Sequence, residues 1–76
     1  MYHQNMQLVI VGVGYVGLVT GLSLAKTGHK INFIDTDKEK INNLNQGIPP
    51  FFEPEVENYL LNSKIKQNIE FFDSYN

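Results

Sequence analysis

The 76-residue chain contains no cysteine. That absence excludes a disulfide framework, a thiolate metal site and a thiol nucleophile within these residues. Long apolar runs are also missing, and none approaches the roughly 20 residues that span a bilayer. The polar start, Met1 to Gln7, lacks the charged segment and apolar core of a secretory signal, so the cytoplasm is the expected location. Basic charge is scarce and scattered. With 6 basic side chains and a formal net charge of −2, there is no electrostatic footprint for nucleic acid or a membrane surface. The pairs Lys38/Lys40 and Lys64/Lys66 read as solvated surface. His3 and His29 have no Asp or Cys arrangement around them that suggests a triad or a metal site, and both are expected at the surface. No catalytic or metal-ligating set emerges.

What remains is ordinary for a folded chain: 42% hydrophobic and 18% charged residues. A chain this short makes one small domain at most, burying only roughly 60% of the surface its unfolded form exposes. There is no internal repeat and no low-complexity tract. Leu8 to Val11 is a continuous apolar run, which predicts a parallel strand buried on both faces. Residues 15–27 read as a helix in which Gly17, Gly21 and Ala25 share one face and allow close approach to a sheet. Gly28 follows as the helix-ending residue.

Ile31 to Ile34 predicts a second strand, ending at Asp35. Thr36 and Glu39 have capping-box spacing ahead of a helix whose apolar stripe is Ile41 and Leu44, closed by Gly47. Residues 48–52 form a proline-restricted, extended connection. Pro54 suits the first position of a third helix with Val56, Tyr59 and Leu60 on one face. In that reading Glu53 is a charge at the helix start, and Phe51 and Phe52 are core plugs. Ile69 to Phe72 predicts a third strand. The order β-α-β-α-α-β is the first half of a doubly wound parallel sheet, an α/β partial Rossmann arrangement.

The chemistry sits in one place. Gly12-Val13-Gly14-Tyr15-Val16-Gly17 follows the first strand and opens the first helix, and Asp35 stands 18 residues after Gly17. Gly12 permits the tight turn, Gly14 leaves room for a pyrophosphate, and Gly17 lets helix and strand approach. The phosphates would lie against the unpaired N–H groups and positive dipole end of the helix. Asp35 can accept hydrogen bonds from the ribose hydroxyls of adenosine and would repel a 2′-phosphate, which favours NAD over NADP. The plainer alternatives are a glycine-rich turn with no ligand, and for Asp35 a helix cap. A P-loop is excluded, because Leu18-Val19 stands where Lys-Ser/Thr would follow. A methyltransferase glycine loop is a minor alternative, since its usual spacing is shorter. Lys40 could reach back toward the adenosine side, although a single Lys on a polar helix face is more often solvated.

These residues resemble a known family. The stretch from Val11 to Gly21, with its Gly-Tyr-Val-Gly-Leu continuation, is similar to the opening of the UDP-glucose/GDP-mannose dehydrogenase family. Leu24-Ala25-x-x-Gly28-His29, Asp35-x-Asp37-x-x-Lys40-Ile41-x-x-Leu44-Asn45-x-Gly47 and Pro50-Phe51-Phe52-Glu53-Pro54 extend the resemblance across residues 7–72. It implies that Gly12, Val13, Gly14, Tyr15, Val16, Gly17, Asp35 and Lys40 line an NAD site. The Thr20-Gly21 continuation leans toward the UDP-glucose branch. Phe52 in place of a tyrosine and Glu55 in place of a glycine depart from the family pattern.

The resemblance further implies a double oxidation of a sugar-nucleotide primary alcohol to a carboxylate, using two NAD and a cysteine thiolate. Residues 1–76 would then be the incomplete N-terminal portion of an NAD-binding Rossmann domain in an oligomeric parent. The family's cysteine and nucleotide-sugar contacts lie beyond it, and the chain alone is expected to be inactive. The competing readings are a non-catalytic remnant or nucleotide-binding module, and a sister-branch enzyme acting on GDP-mannose or a UDP-N-acetyl-hexosamine. The strand at Leu8 to Val11 is expected to be an open edge that promotes self-association, with Phe71 and Phe72 partly uncovered.

Overall fold

The computed structural model describes residues 5–51 and 53–74. His3 and Phe52 lie outside them. Three strands, β1 (Gln7–Val11), β2 (Lys30–Ile34) and β3 (Ile69–Phe72), form a parallel sheet with β2 in the middle. Parallel neighbours need a crossover, and helices supply it. Helix α1 (Tyr15–Lys26) connects β1 to β2, while α2 (Lys38–Asn45), α3 (Pro54–Leu61) and α4 (Ser63–Lys66) lie between β2 and β3. Val11 stands opposite Ile34, and Ile34 opposite Phe72, so all three strands end together at one rim. The glycine turn and Asp35 leave from that rim.

Alternation along the strands divides the sheet into two faces. Leu8, Ile10, Ile31, Phe33, Ile69 and Phe71 look toward the helices. They pack with Leu18, Leu22, Ile41, Leu44, Val56, Leu60 and Ile65 in one core. Phe33 and Phe71 stack with ring centroids 4.8 Å apart. The expected small-residue face of α1 is present and lies on this side. A Cβ on Gly17 would come within 2.9 Å of the Gly12 carbonyl oxygen, so the helix can approach β1 this closely only because Gly17 lacks one.

The other face differs from the expectation. Val9 is 58% and Val11 63% exposed, so β1 is covered on one side only among the described residues. An apolar run reports that a strand can be buried twice over; it does not report that a second layer is present. Phe71 also departs from expectation. It is buried against Phe33, and only Phe72 remains uncovered.

Three local corrections follow from hydrogen bonds. First, the cap of α2 is Asp37, whose carboxylate accepts from the Lys40 N–H (3.1 Å), so the Thr36/Glu39 capping box does not form. The Asp35 Oδ1 accepts from the Asp37 N–H at 2.9 Å and holds Asp37 extended at the helix mouth. Second, Asn62 starts the short helix α4, absent from the expected order, by accepting from Lys64 and Ile65 N–H groups. The order is β-α-β-α-α-α-β. Third, His29 is buried rather than exposed, and its Nδ1 accepts from the Met6 N–H at 3.0 Å, joining the approach to β1 to the start of β2.

The remaining ends follow the sequence. Gly28 follows the α1 cap residue Thr27 with φ +105°. Pro54 opens α3 behind Glu53, whose side chain accepts from the Glu55 N–H.

Candidate functional site

The site begins with a turn of three residues between β1 and α1. Gly12 has φ +86°, a backbone state that costs an L side chain steric strain and costs glycine little. Its N–H donates to the Ile34 carbonyl at 2.8 Å, so the turn is tied to the end of β2 before it bends away. Val13 is fully buried and anchors the turn in the core. Gly14 is the helix cap residue, extended at φ −87° and ψ −172°, and no side chain caps α1. A Cβ on Gly14 would meet no atom within 4 Å, so the space in front of the helix start is open.

The consequence is electrostatic. The first N–H groups of a helix lack intrahelical partners and carry the positive end of its dipole. The Leu18 N–H is already taken by the Gly14 carbonyl at 2.9 Å. The amides of Tyr15 and Val16 precede it, in the first turn. No acidic residue occupies that turn to compete for an anion. Tyr15 and Val16 are themselves exposed, Val16 at 74%, and the Tyr15 ring lies 5.1 Å from the Phe51 ring. Sequence reading did not bring Phe51 here; a tip residue 36 positions away leaves no local signal.

Asp35 is the second component. Its Oδ2 accepts from the Val13 N–H at 2.8 Å and from Lys40 Nζ at 3.2 Å, and its Oδ1 accepts from the Asp37 N–H. A carboxylate has about four acceptor positions, so one remains on Oδ1. This refines the expectation that Asp35 takes both ribose hydroxyls. One hydroxyl could donate to Oδ1, and the Lys40 ammonium, with further donors of its own, could meet the other. The Asp37 and Val13 amides hold the Asp35 carboxyl below the ordinary aspartate value of 3.8, with a smaller contribution from Lys40 and against the opposing effect of burial. The acid is therefore ionised at neutral pH. A cleft of about 300 Å³ between α2 and the end of β3 shares no residue with the turn or with Asp35 and Lys40.

The structure thus gathers Gly12, Val13, Gly14, Tyr15, Val16 and Gly17 with Asp35 and Lys40 at one rim of the sheet. An open helix mouth next to a fixed carboxylate matches the two ends of an adenosine diphosphate. The model of the NAD-binding domain of the UDP-glucose/GDP-mannose dehydrogenase family matches residues 6–76. The chain belongs to that family. It is 41% identical over 70 residues to the UDP-glucose 6-dehydrogenase YwqF of Bacillus subtilis, covering 92% of this chain and 16% of that protein. Its identity to the UDP-glucose 6-dehydrogenase of Rickettsia conorii is 35% over 71 residues, covering 93% and 16%.

Among solved structures, the fold matches a UDP-glucose dehydrogenase from Pyrobaculum islandicum with TM-score 0.80 and 29% identity, over 95% of this chain and 16% of that one. A GDP-mannose dehydrogenase from Pseudomonas aeruginosa matches with TM-score 0.76 and 28% identity, over 93% and 16%. The chain spans about a sixth of the length of these relatives. Residues 6–76 match the family's NAD-binding domain, and the partial Rossmann order expected from the sequence is the observed one apart from α4.

Proposed function

We propose that these residues are the N-terminal portion of the cofactor domain of a cytoplasmic nucleotide-sugar dehydrogenase, receiving the adenosine and pyrophosphate half of NAD. The observation that carries this reading is the pairing at one rim of an uncapped helix mouth with the Asp35–Lys40 pair. In this assignment the Tyr15 and Val16 amides face the pyrophosphate, and Gly14 leaves it room. Asp35 and Lys40 meet the adenosine ribose. NAD itself supplies a hydride acceptor; these residues bind and orient its other end.

The parent reaction is the oxidation of UDP-glucose to UDP-glucuronate with two NAD. This is supported by the UDP-glucose 6-dehydrogenases among the relatives and by the Thr20-Gly21 continuation. The likeness to a GDP-mannose dehydrogenase keeps the sister branch as a second reading. The oxidation of aldehyde to acid needs a captured intermediate, in this family a cysteine thioester, and the 76 residues hold no cysteine. The chain by itself therefore binds cofactor without turning over nucleotide sugar. Titration calorimetry of the purified chain with NAD and NADP tests the assignment. Binding of NAD in preference to NADP is expected, and no binding of either would refute it.

A further inference from the structure

The hydrogen bond from the Val13 amide to Asp35 gives the acid a second task. The turn between β1 and α1 has no side-chain cap, and Gly12 and Gly14 lend it no stiffness of their own. Besides the buried Val13 side chain, what holds its backbone comes from the end of β2. The Ile34 carbonyl takes the Gly12 N–H, and Asp35 Oδ2 takes the Val13 N–H, both at 2.8 Å. Asp35 is in turn fixed from the other side by the Asp37 N–H and by Lys40. Three donors, one in the β1–α1 turn and two at the start of α2, thus converge on a single carboxylate.

We infer that Asp35 is a positioning residue for the phosphate-facing turn, independently of any contact with ribose. Its carboxylate sets the peptide planes that precede the helix mouth, so the Tyr15 and Val16 amides are aimed before a ligand arrives. Loss of the carboxylate leaves the Val13 N–H without its partner and lets the glycine-flanked turn sample other geometries. Charge-assisted hydrogen bonds to a carboxylate are stronger than neutral ones, which suits a bond that must hold two flexible glycines in place. This inference rests on the dinucleotide reading for its ligand, although the hydrogen bond itself does not.

The test separates the two tasks by removing the ribose hydroxyls from the ligand. Binding of ADP and of 2′,3′-dideoxy-ADP is measured for the 76-residue chain, Asp35→Ala and Asp35→Asn. If Asp35 aims the turn, Asp35→Ala binds dideoxy-ADP roughly ten-fold more weakly than the unsubstituted chain. Asp35→Asn recovers most of that loss, because its amide oxygen can still accept from Val13. A dideoxy-ADP affinity equal in all three proteins, with ADP weakened by substitution, would confine Asp35 to the ribose and overturn the inference. Hydrogen exchange of the Val13 amide without ligand supplies a second reading. Protection should be lost in Asp35→Ala and kept in Asp35→Asn, and protection unchanged in Asp35→Ala would overturn the inference. If the unsubstituted chain binds neither nucleotide, the dinucleotide reading falls, and the exchange result alone decides whether Asp35 orders the turn.

Discussion

Gly21 of α1 sits directly over the ring edge of Phe33 on β2, so close that a Cβ at position 21 would overlap the ring. The same Cβ would also stand 2.7 Å from Ile10 Cδ1. Phe33 cannot yield, because it is fully buried and stacked on Phe71. The α1–sheet distance is thus set by a missing side chain.

Gly21→Ala should therefore destabilise the fold despite the better helix propensity of alanine. The propensity gain is about 0.5–1 kcal/mol, whereas overpacking a core typically costs about 1–3 kcal/mol. The overlap wins because the Cβ is fixed to the helix backbone. Thermal unfolding should show a lower Tm for Gly21→Ala and partial recovery in the double variant with Phe33→Leu. Independent, additive effects of the two substitutions would contradict a direct clash.

Asp35 should also link stability to pH. Its folded-state value lies below the ordinary 3.8, so its contribution is fully present above that value and is lost as pH falls through the folded value. Asp35→Asn should be less stable than the unsubstituted chain at pH 7 by about 1 kcal/mol, the scale of one hydrogen bond. The difference should vanish in acid below the folded value. Urea unfolding between pH 7 and pH 2 measures it, and a pH-independent gap would rule out the charge as its source.

Cofactor choice gives a third outcome. A 2′-phosphate beside Asp35 would bring two negative groups together, at a cost of about 1 kcal/mol per charge pair at 4 Å even in water. Asp35→Ser should narrow the ratio of NADP to NAD dissociation constants by roughly ten-fold, with Lys40 left as a cation for the added phosphate. An unchanged ratio would mean that the ribose does not approach this carboxylate. Lys40→Met, by contrast, breaks an ion pair that is only partly shielded from water. Its effect on stability should stay within about 1 kcal/mol.

The parts of this site differ in how readable they are. The glycine turn and Asp35 were legible because Gly12 and Gly17 answer local steric demands and the acid ends a strand-like run. Lys40 was not legible from its own position on a polar helix face; only the family pattern singled it out, and its ion pair with Asp35 is a tertiary fact. Asp37 and Thr36 are both good caps, and what selects Asp37 is the Asp35 Oδ1 holding its N–H. Helix α4 has four residues, too few for a periodic pattern to show. His29 is buried by a backbone partner 23 residues earlier, which no local window contains. The uncovered side of β1 could not be read at all, since an apolar strand looks the same with one packed layer or two.

That uncovered side carries the last expectation. Val9 and Val11 alternate onto the same face as Ile34 and Phe72, with Asn32 and Glu70 level with Val9. Val9, Val11 and Phe72 are 58%, 63% and 37% exposed. Among the described residues β1 pairs only with β2, so its outer edge also offers unpaired N–H and C=O groups beside this apolar patch. An open edge next to an apolar face is a template for association. The 76-residue chain should therefore sediment faster as its concentration rises. Val9→Lys combined with Val11→Lys should shift it toward monomer, because charge on the strand makes a second copy costly to dock. Neither side chain is buried, so the Tm of the variant should move little. A monomer at every concentration tested, before any substitution, would show that this face and edge do not drive assembly.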